Sequence, residues 1–191
     1  MNIEKIILNG FSFYLEDFGD GKGKITITGN CENYSHYWGS MGTDLKSFLK
    51  KINNGYFVGK LMSSDKQQVF SAKYTGRNIR KIWKEEIMPW YKHLEFQKDF
   101  REKLKYFLID IQDSNHFVYE FDWFIRSLDY FLIDDHKERN EIEGLVRSVL
   151  GSECWYLIDT ELSIEYKRLS DAFTELKKYL KSEKIEEVVM L

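Results

Sequence analysis

Histidine and carboxylate side chains are the residues of this chain that can carry acid–base or metal chemistry. The densest group of potential ligands is Asp134, Asp135 and His136 with Glu138, and the next is Asp110 and Asp113. Residues adjacent on a helix point about 100° apart, so sequence neighbours do not converge on one ion. The acidic residues between 129 and 143 therefore indicate a solvated helix end and loop. A small metal- or carboxylate-dependent enzyme built on these side chains is kept as a second alternative.

The motifs that identify common catalytic centres are missing from the sequence. It contains no G-x-x-x-x-G-K-S/T phosphate loop, no G-x-S-x-G nucleophile elbow and no H-E-x-x-H zinc helix. Cys31 and Cys154 lie far apart and outside any Cys/His cluster, which indicates two free thiols. We therefore predict no catalytic residue, no metal site and no cofactor.

An aromatic segment, residues 34–38, is the most distinctive stretch of the chain. Its candidate partner-binding residues are Tyr34, His36, Tyr37 and Trp38. If the segment is a strand, Tyr34, His36 and Trp38 face one way and Tyr37 the other. Two interpretations stay open. In the first, Trp38 fills the core at a strand-to-helix corner. In the second, the rings form a surface that binds a partner, because Tyr and Trp are enriched at protein interfaces.

Positive charge is concentrated in residues 45–84, which we call the basic block. The whole chain has a net charge of −3, but the basic block holds ten basic side chains and one acidic one. Candidate nucleic-acid-binding residues within it are Lys46, Lys50, Lys51, Arg77, Arg80, Lys81 and Lys84. The block either attracts phosphate or an acidic surface, or is neutralised by residues 85–191, which hold 15 basic and 24 acidic side chains. No zinc-finger or helix-turn-helix signature accompanies it.

The first 42 residues, which must position the aromatic segment, have the pattern of strands and turns. Ile3–Leu15, Lys24–Gly29 and Tyr34–Ser40 are rich in β-branched and aromatic residues. The glycine-dense stretch 19–23 predicts a hairpin turn between the first two. We expect a three-stranded antiparallel sheet over residues 1–42.

From residue 43 onward, apolar residues recur at helical spacing. Separate stripes begin at Ile79, Phe96, Phe117 and Leu162, and Pro89 must kink or end the first of these helices near Met88. The stripe from Leu162 to Leu180 can be a coiled-coil seam, but a packed core helix fits its short length better. No linker interrupts the 191 residues. The prediction is a single α+β domain, residues 1–191, with the helical part (43–191) packed on the sheet.

Targeting signals are absent from the sequence. No apolar run reaches the length of about 18 residues that a bilayer requires, and charged residues occupy the N-terminus where a signal peptide is apolar. We expect a cytoplasmic protein with no membrane partner.

A family resemblance covers residues 24–62. The pattern Tyr-x-x-Tyr-Trp-Gly-Ser-Met-Gly, followed by Asp-Leu-Lys-Ser-Phe-Leu and Asn-Gly-Tyr-Phe-Val-Gly-Lys-Leu, resembles small uncharacterised accessory proteins of bacteriophages and prophages. The group has no assigned catalytic residues to carry over. The resemblance implies a context in which inhibitors of host defence, including anti-CRISPR proteins, are common.

The leading hypothesis is a non-enzymatic phage or mobile-element protein that binds a macromolecule in the cytoplasm of its bacterial host. The partner is a host protein or nucleoprotein complex, with a CRISPR-type defence nuclease as the inhibited target. The first alternative is nucleic-acid binding through the basic block. The chain is a monomer or a homodimer; the sequence does not distinguish the two.

Overall fold

The structure is a computed structural model that describes residues 2–29, 32–91, 93–151 and 154–189. Cys31, predicted to be a free thiol, lies outside these ranges. The chain folds into two compact units. The sheet unit comprises the residues up to Gln68 together with those from Leu162 onward, and the helical unit is Val69–Glu161.

The sheet is a four-stranded antiparallel meander in the order β1-β2-β3-β4. Its strands are β1 Asn2–Leu8, β2 Phe11–Gly19, β3 Lys22–Gly29 and β4 Glu32–Trp38. The prediction of three strands is wrong, because the stretch Ile3–Leu15 contains two strands joined at Asn9-Gly10. Both turn residues have positive φ, 49° and 83°. A two-residue hairpin turn with these angles matches the right-handed twist of the two strands that it joins.

Helices α1 Leu45–Lys51, α2 Asn54–Leu61, α3 Ser64–Gln67 and α8 Ile164–Val189 complete the sheet unit. Its core joins one face of the sheet to α1, α2 and α8. Phe57 of α2 stacks on Phe173 of α8 with ring centres 3.7 Å apart. The Leu162–Leu180 stripe is therefore a core helix face, as predicted, except at Leu162, which is 41% exposed and lies in a strand.

The helical unit contains α4 Ala72–Ile82, α5 Leu94–Asp110, α6 Ser114–Ser127 and α7 His136–Val146. Single π-helical turns follow α4 and α7, at Trp83–Ile87 and Arg147–Gly151, and 3-10 turns lie at Tyr130–Leu132 and Cys154–Leu157. Two short strands, β5 Gln68–Phe70 and β6 Thr160–Leu162, pair where the chain enters and leaves the unit.

The predicted apolar stripes of α4, α5 and α6 converge in a separate, aromatic-rich core. Trp83 stacks on Phe100 at 3.5 Å between ring centres. The expectation that the helical part packs on the sheet thus holds for α1, α2 and α8, whereas α4–α7 bury their apolar faces against each other. Among the described helices, none combines the length and apolar character needed to cross a bilayer.

Candidate binding surfaces

The aromatic segment lies on β4, at an edge of the sheet. Tyr34, His36 and Trp38 stand opposite Ile27, Ile25 and Gly23 of β3. Trp38 is only 6% exposed, and its ring lies edge-on to Phe48 at 5.4 Å and to His36 at 4.7 Å. These contacts favour the core interpretation for Trp38.

Tyr37 is the member of the aromatic segment that presents its ring to solvent. It lies on the opposite face of β4 and is 51% exposed. The centre of its ring is 6.0 Å from the ring centre of Phe18. Tyr34 and His36 are half-buried. Burial lowers the pKa of His36, and the positive charge of Lys60 lowers it further, so the imidazole is neutral near pH 7.

The basic block is divided between the two units. Lys46, Lys50 and Lys51 belong to the sheet unit, where the ammonium of Lys46 pairs with Glu4 at 2.8 Å. The other four predicted nucleic-acid-binding residues, Arg77, Arg80, Lys81 and Lys84, belong to the helical unit. The seven predicted nucleic-acid-binding residues therefore include three from the sheet unit and four from the helical unit.

The cations of α4 and of the turn after it form an exposed row that we call the cationic stripe: Lys73, Arg77, Arg80, Lys81 and Lys84. Their spacing along α4 and the turn after it places them on one side of the helix. Within the described part of the chain, none of them forms an ion pair with a carboxylate. Tyr74 lies beneath two of them, with Lys73 Nζ 5.5 Å and Arg77 Cζ 5.3 Å from its ring centre.

Helix α4 holds this stripe on a fixed support. Ser71 caps the helix by accepting a hydrogen bond from the Tyr74 N–H at 3.4 Å. The Thr75 hydroxyl accepts from the Asp159 N–H at 2.9 Å, and the Asn78 amide donates to the Leu157 carbonyl at 3.2 Å. One face of α4 is thereby fixed, while the cationic face stays open.

A groove between α5 and α6, which we call the α5–α6 groove, contains a cavity with a volume of about 350 Å³. Its buried side is apolar and contains the stacked rings of Phe107 and Phe124, whose centres are 4.8 Å apart. Two exposed rings line it as well, Tyr106 at 65% and Trp123 at 68% exposure. A partly apolar cavity with exposed aromatic rings has the composition of a binding site.

The ionisable residues of the groove are Lys103, Asp110, His116 and Glu120. Lys103 is satisfied internally, since its ammonium pairs with Asp99 at 3.0 Å and donates to the Ser127 carbonyl. Among the described residues, Asp110 and Glu120 have no ion-pair partner. Nδ1 of His116 accepts from the Gln112 N–H at 3.3 Å, and no hydrogen bond among the described residues joins His116 to either carboxylate. The two carboxylates and the imidazole share a cavity without forming a proton relay.

The acidic group that the sequence singled out has structural partners. Asp135 caps α7 by accepting from the Glu138 N–H at 2.8 Å, and Glu138 in turn lies 2.8 Å from Nε2 of His93. No three His, Cys, Asp or Glu side chains of the described ranges are grouped as metal ligands would be. Burial raises the pKa of the half-buried Cys154 thiol, which suppresses the reactive thiolate.

Sequence reasoning missed the α5–α6 groove. Asp110 stands out in the sequence as a carboxylate and Trp123 as a large ring, but nothing in the sequence places them in one groove with Tyr106. A signal was available, because Tyr106 and Trp123 are large rings that fall outside the apolar stripes of their helices. Such a ring either covers a neighbouring element or faces solvent. Which of these holds for Tyr106 and Trp123 depends on how α5 packs against α6.

Comparison with known proteins gives a family match. The model of a phage family, Phage_phiTE_072, matches residues 2–182. No curated protein and no solved structure matches the chain. The matched region contains the aromatic segment, the cationic stripe and the α5–α6 groove.

Proposed function

The chain belongs to the phage family whose model matches residues 2–182, and from this premise we propose that it is a non-enzymatic accessory protein that acts by binding. Its partner is a host protein or nucleoprotein complex in the bacterial cytoplasm, with a defence nuclease of the CRISPR type as the proposed target. Binding to such a complex inhibits it by occupying a surface that it needs.

The α5–α6 groove is the observation that supports this proposal. Protein contacts draw most of their energy from a few aromatic anchors that are fully desolvated in the complex. Tyr106 and Trp123 are 65% and 68% exposed beside an apolar cavity. Such rings lose contact with water when a partner covers them, which gives the groove a source of affinity.

Affinity capture from host lysate with matched tryptophan variants tests the proposal. Trp123→Ala removes a ring of the groove, while Trp155→Ala removes a ring of similar exposure, 64%, that lies outside it. We expect a host protein to be retained by the wild type and by Trp155→Ala and lost with Trp123→Ala. Capture of the same proteins by all three forms, or of none at moderate salt, contradicts the proposal.

Nucleic-acid binding is a second candidate function, favoured by the cationic stripe. Five exposed cations that have no carboxylate partner in the described part of the chain keep their charge available for phosphate. Counterion release then makes affinity fall steeply with salt, with a slope of about 0.9 per phosphate contact. Two of these cations, Lys73 and Arg77, lie over the Tyr74 ring at cation–π distance.

A gel-shift assay with duplex and single-stranded DNA at two salt concentrations tests this second function. The triple variant Arg77→Ala, Arg80→Ala, Lys84→Ala removes three charges of the stripe. A control triple variant, Lys98→Ala, Lys137→Ala, Lys178→Ala, removes three lysines that are paired with nearby glutamates. We expect the shift to disappear with the first variant alone. Absence of a shift even at low salt, or equal loss with the control, excludes the stripe as a specific site.

A further inference from the structure

We propose that the α5–α6 groove receives an arginine or lysine side chain carried on a basic, partly apolar segment of a partner protein. The inference rests on the proposed function and specifies the chemistry of the partner. Three properties of the groove lead to it: exposed ring faces, unpaired negative charge and a cavity of side-chain size.

The exposed rings suit a cation on an aliphatic stem. The faces of Trp and Tyr rings attract guanidinium and ammonium groups within about 6 Å of the ring centre. At the protein surface, Lys105 Nζ of the chain itself lies 6.0 Å from the Tyr106 ring centre, so we assign the ligand's cation to the Trp123 ring. The buried side of the groove, formed by Phe107 and Phe124, can pack the methylene groups that carry the charge.

The charge of the groove selects a basic ligand over an acidic one. Asp110 and Glu120 line the cavity and have no ion-pair partner among the described residues. Lys103 does not neutralise them, because its ammonium is held by Asp99 and the Ser127 carbonyl. A cationic side chain therefore gains two carboxylates, whereas an acidic side chain meets repulsion.

The groove is large enough for one long side chain, and exposed apolar residues next to it can contact the segment that carries this side chain. A volume of about 350 Å³ is at the lower end for ligand pockets. Apolar surface continues outside it on both helices, at Ile109 with 68% and Tyr119 with 82% exposure. These residues lie one turn from Tyr106 and Trp123 respectively. A peptide segment covers both the cavity and this margin, while a free cation covers only the cavity.

Calorimetric titration of the full chain with blocked synthetic peptides tests the inference without knowledge of the host partner. One peptide has leucine and arginine at helical spacing, and its counterpart has glutamate in place of arginine. Arginine amide serves as the free cation. The variants are Trp123→Ala and the double variant Asp110→Asn, Glu120→Gln. Trp155→Ala and the double variant Glu86→Gln, Asp134→Asn are the controls, because they change exposed residues outside the groove.

We expect the arginine peptide to bind at least tenfold more tightly than the glutamate peptide or arginine amide. Each groove variant should weaken that binding about tenfold, as the loss of a cation–π contact for Trp123→Ala or of a charge-assisted contact for the double variant predicts, and the controls should not. Equal affinity for the two peptides, equal loss in the controls, no binding of either peptide, or binding of arginine amide as tight as the peptide overturns the inference. A partner that is captured through Trp123 while the arginine peptide fails would leave the proposed function in place and remove only the cationic ligand.

Discussion

At Trp38 the indole ring is enclosed by the rings of His36 and Phe48, yet its N–H finds no hydrogen-bond partner among the described residues. A buried donor without a partner costs roughly 1–3 kcal/mol. Burial of the large ring more than offsets this cost, because aromatic side chains contribute strongly to core stability. The residue is therefore kept for its size rather than for its polar group.

Substitutions at Trp38 should separate ring volume from the unpaired N–H. We expect Trp38→Ala to lower the free energy of unfolding by about 3–5 kcal/mol. Trp38→Phe keeps a ring and removes the donor, so its cost should be below about 1.5 kcal/mol. Urea denaturation measures both. Tyr37→Ala, at a residue 51% exposed on the other face of β4, is the control and should change stability by less than about 1 kcal/mol. A Trp38→Ala cost as small as the control would place the ring outside the core.

The neighbouring His36 should make the stability of the sheet unit sensitive to acid. Burial, followed by the charge of Lys60, lowers the pKa of this imidazole in the folded state. As the pH falls below the ordinary histidine value of about 6.5, the unfolded chain takes up the proton first. Stability contributed by neutral His36 is present above that value and is lost as the pH falls toward the lowered folded pKa.

Urea midpoints near pH 7.5 and near pH 5.5 measure this effect. His36→Phe keeps a ring against Trp38 and cannot be protonated, so it should reduce the acid-induced drop in the midpoint. His136→Gln removes an exposed imidazole of α7 and serves as the comparison variant. An unchanged drop in His36→Phe would mean that other groups cause the acid sensitivity.

At the scale of elements, two helical glycines should respond to alanine in opposite directions. A Cβ at Gly76 of α4 would lie 2.5 Å from Cδ1 of Leu108, which is buried in the core. No heavy atom lies within 4 Å of the Cβ position at Gly144 of α7. We expect Gly76→Ala to destabilise by about 1 kcal/mol despite its better helix propensity. Gly144→Ala should stabilise by about 0.5–1 kcal/mol, and thermal denaturation distinguishes the two. Stabilisation by both substitutions would show that α4 and α5 have room to move apart.

The elements differ in how well the sequence predicts them. Helices α4, α5 and α6 follow from their apolar stripes, because a helix that buries one face must repeat apolar residues with its own period. The first hairpin was missed, although Asn9-Gly10 is the turn sequence that a two-residue hairpin favours. The run of Ile, Phe and Tyr around the turn looks like one strand, since composition does not mark where a strand reverses.

Surfaces are harder to predict than elements. The burial of Trp38 follows from strand alternation once its partner strand is known. By contrast, the α5–α6 groove depends on where two helices leave a gap, and the isolation of the cationic stripe depends on which carboxylates lie nearby. Both properties depend on how different elements pack against each other, and the periodicity of apolar residues within one helix does not show this.

The chain forms two hydrophobic cores, although its sequence contains no linker segment between them. The crossings at Gln68–Val69 and Glu161–Leu162 carry neither glycine nor proline, so composition predicts one domain over residues 1–191. The sheet unit also takes its last helix, α8, from the far end of the sequence. A boundary of this kind is set by which apolar faces meet, and Phe57 of α2 meets Phe173 of α8.

Hydrogen exchange on paired core variants tests whether the two units also unfold separately. Phe57→Leu removes the stacked ring of the sheet-unit core, and Phe100→Leu removes the ring that stacks on Trp83 in the helical unit. Each should destabilise its own core by about 1–2 kcal/mol. If unfolding is local to a unit, amides of the altered unit should exchange about tenfold faster while those of the other keep their wild-type rates. The two variants serve as controls for each other. Equal acceleration throughout the chain in both variants would mean that the units unfold together, as the single domain expected from the sequence would do.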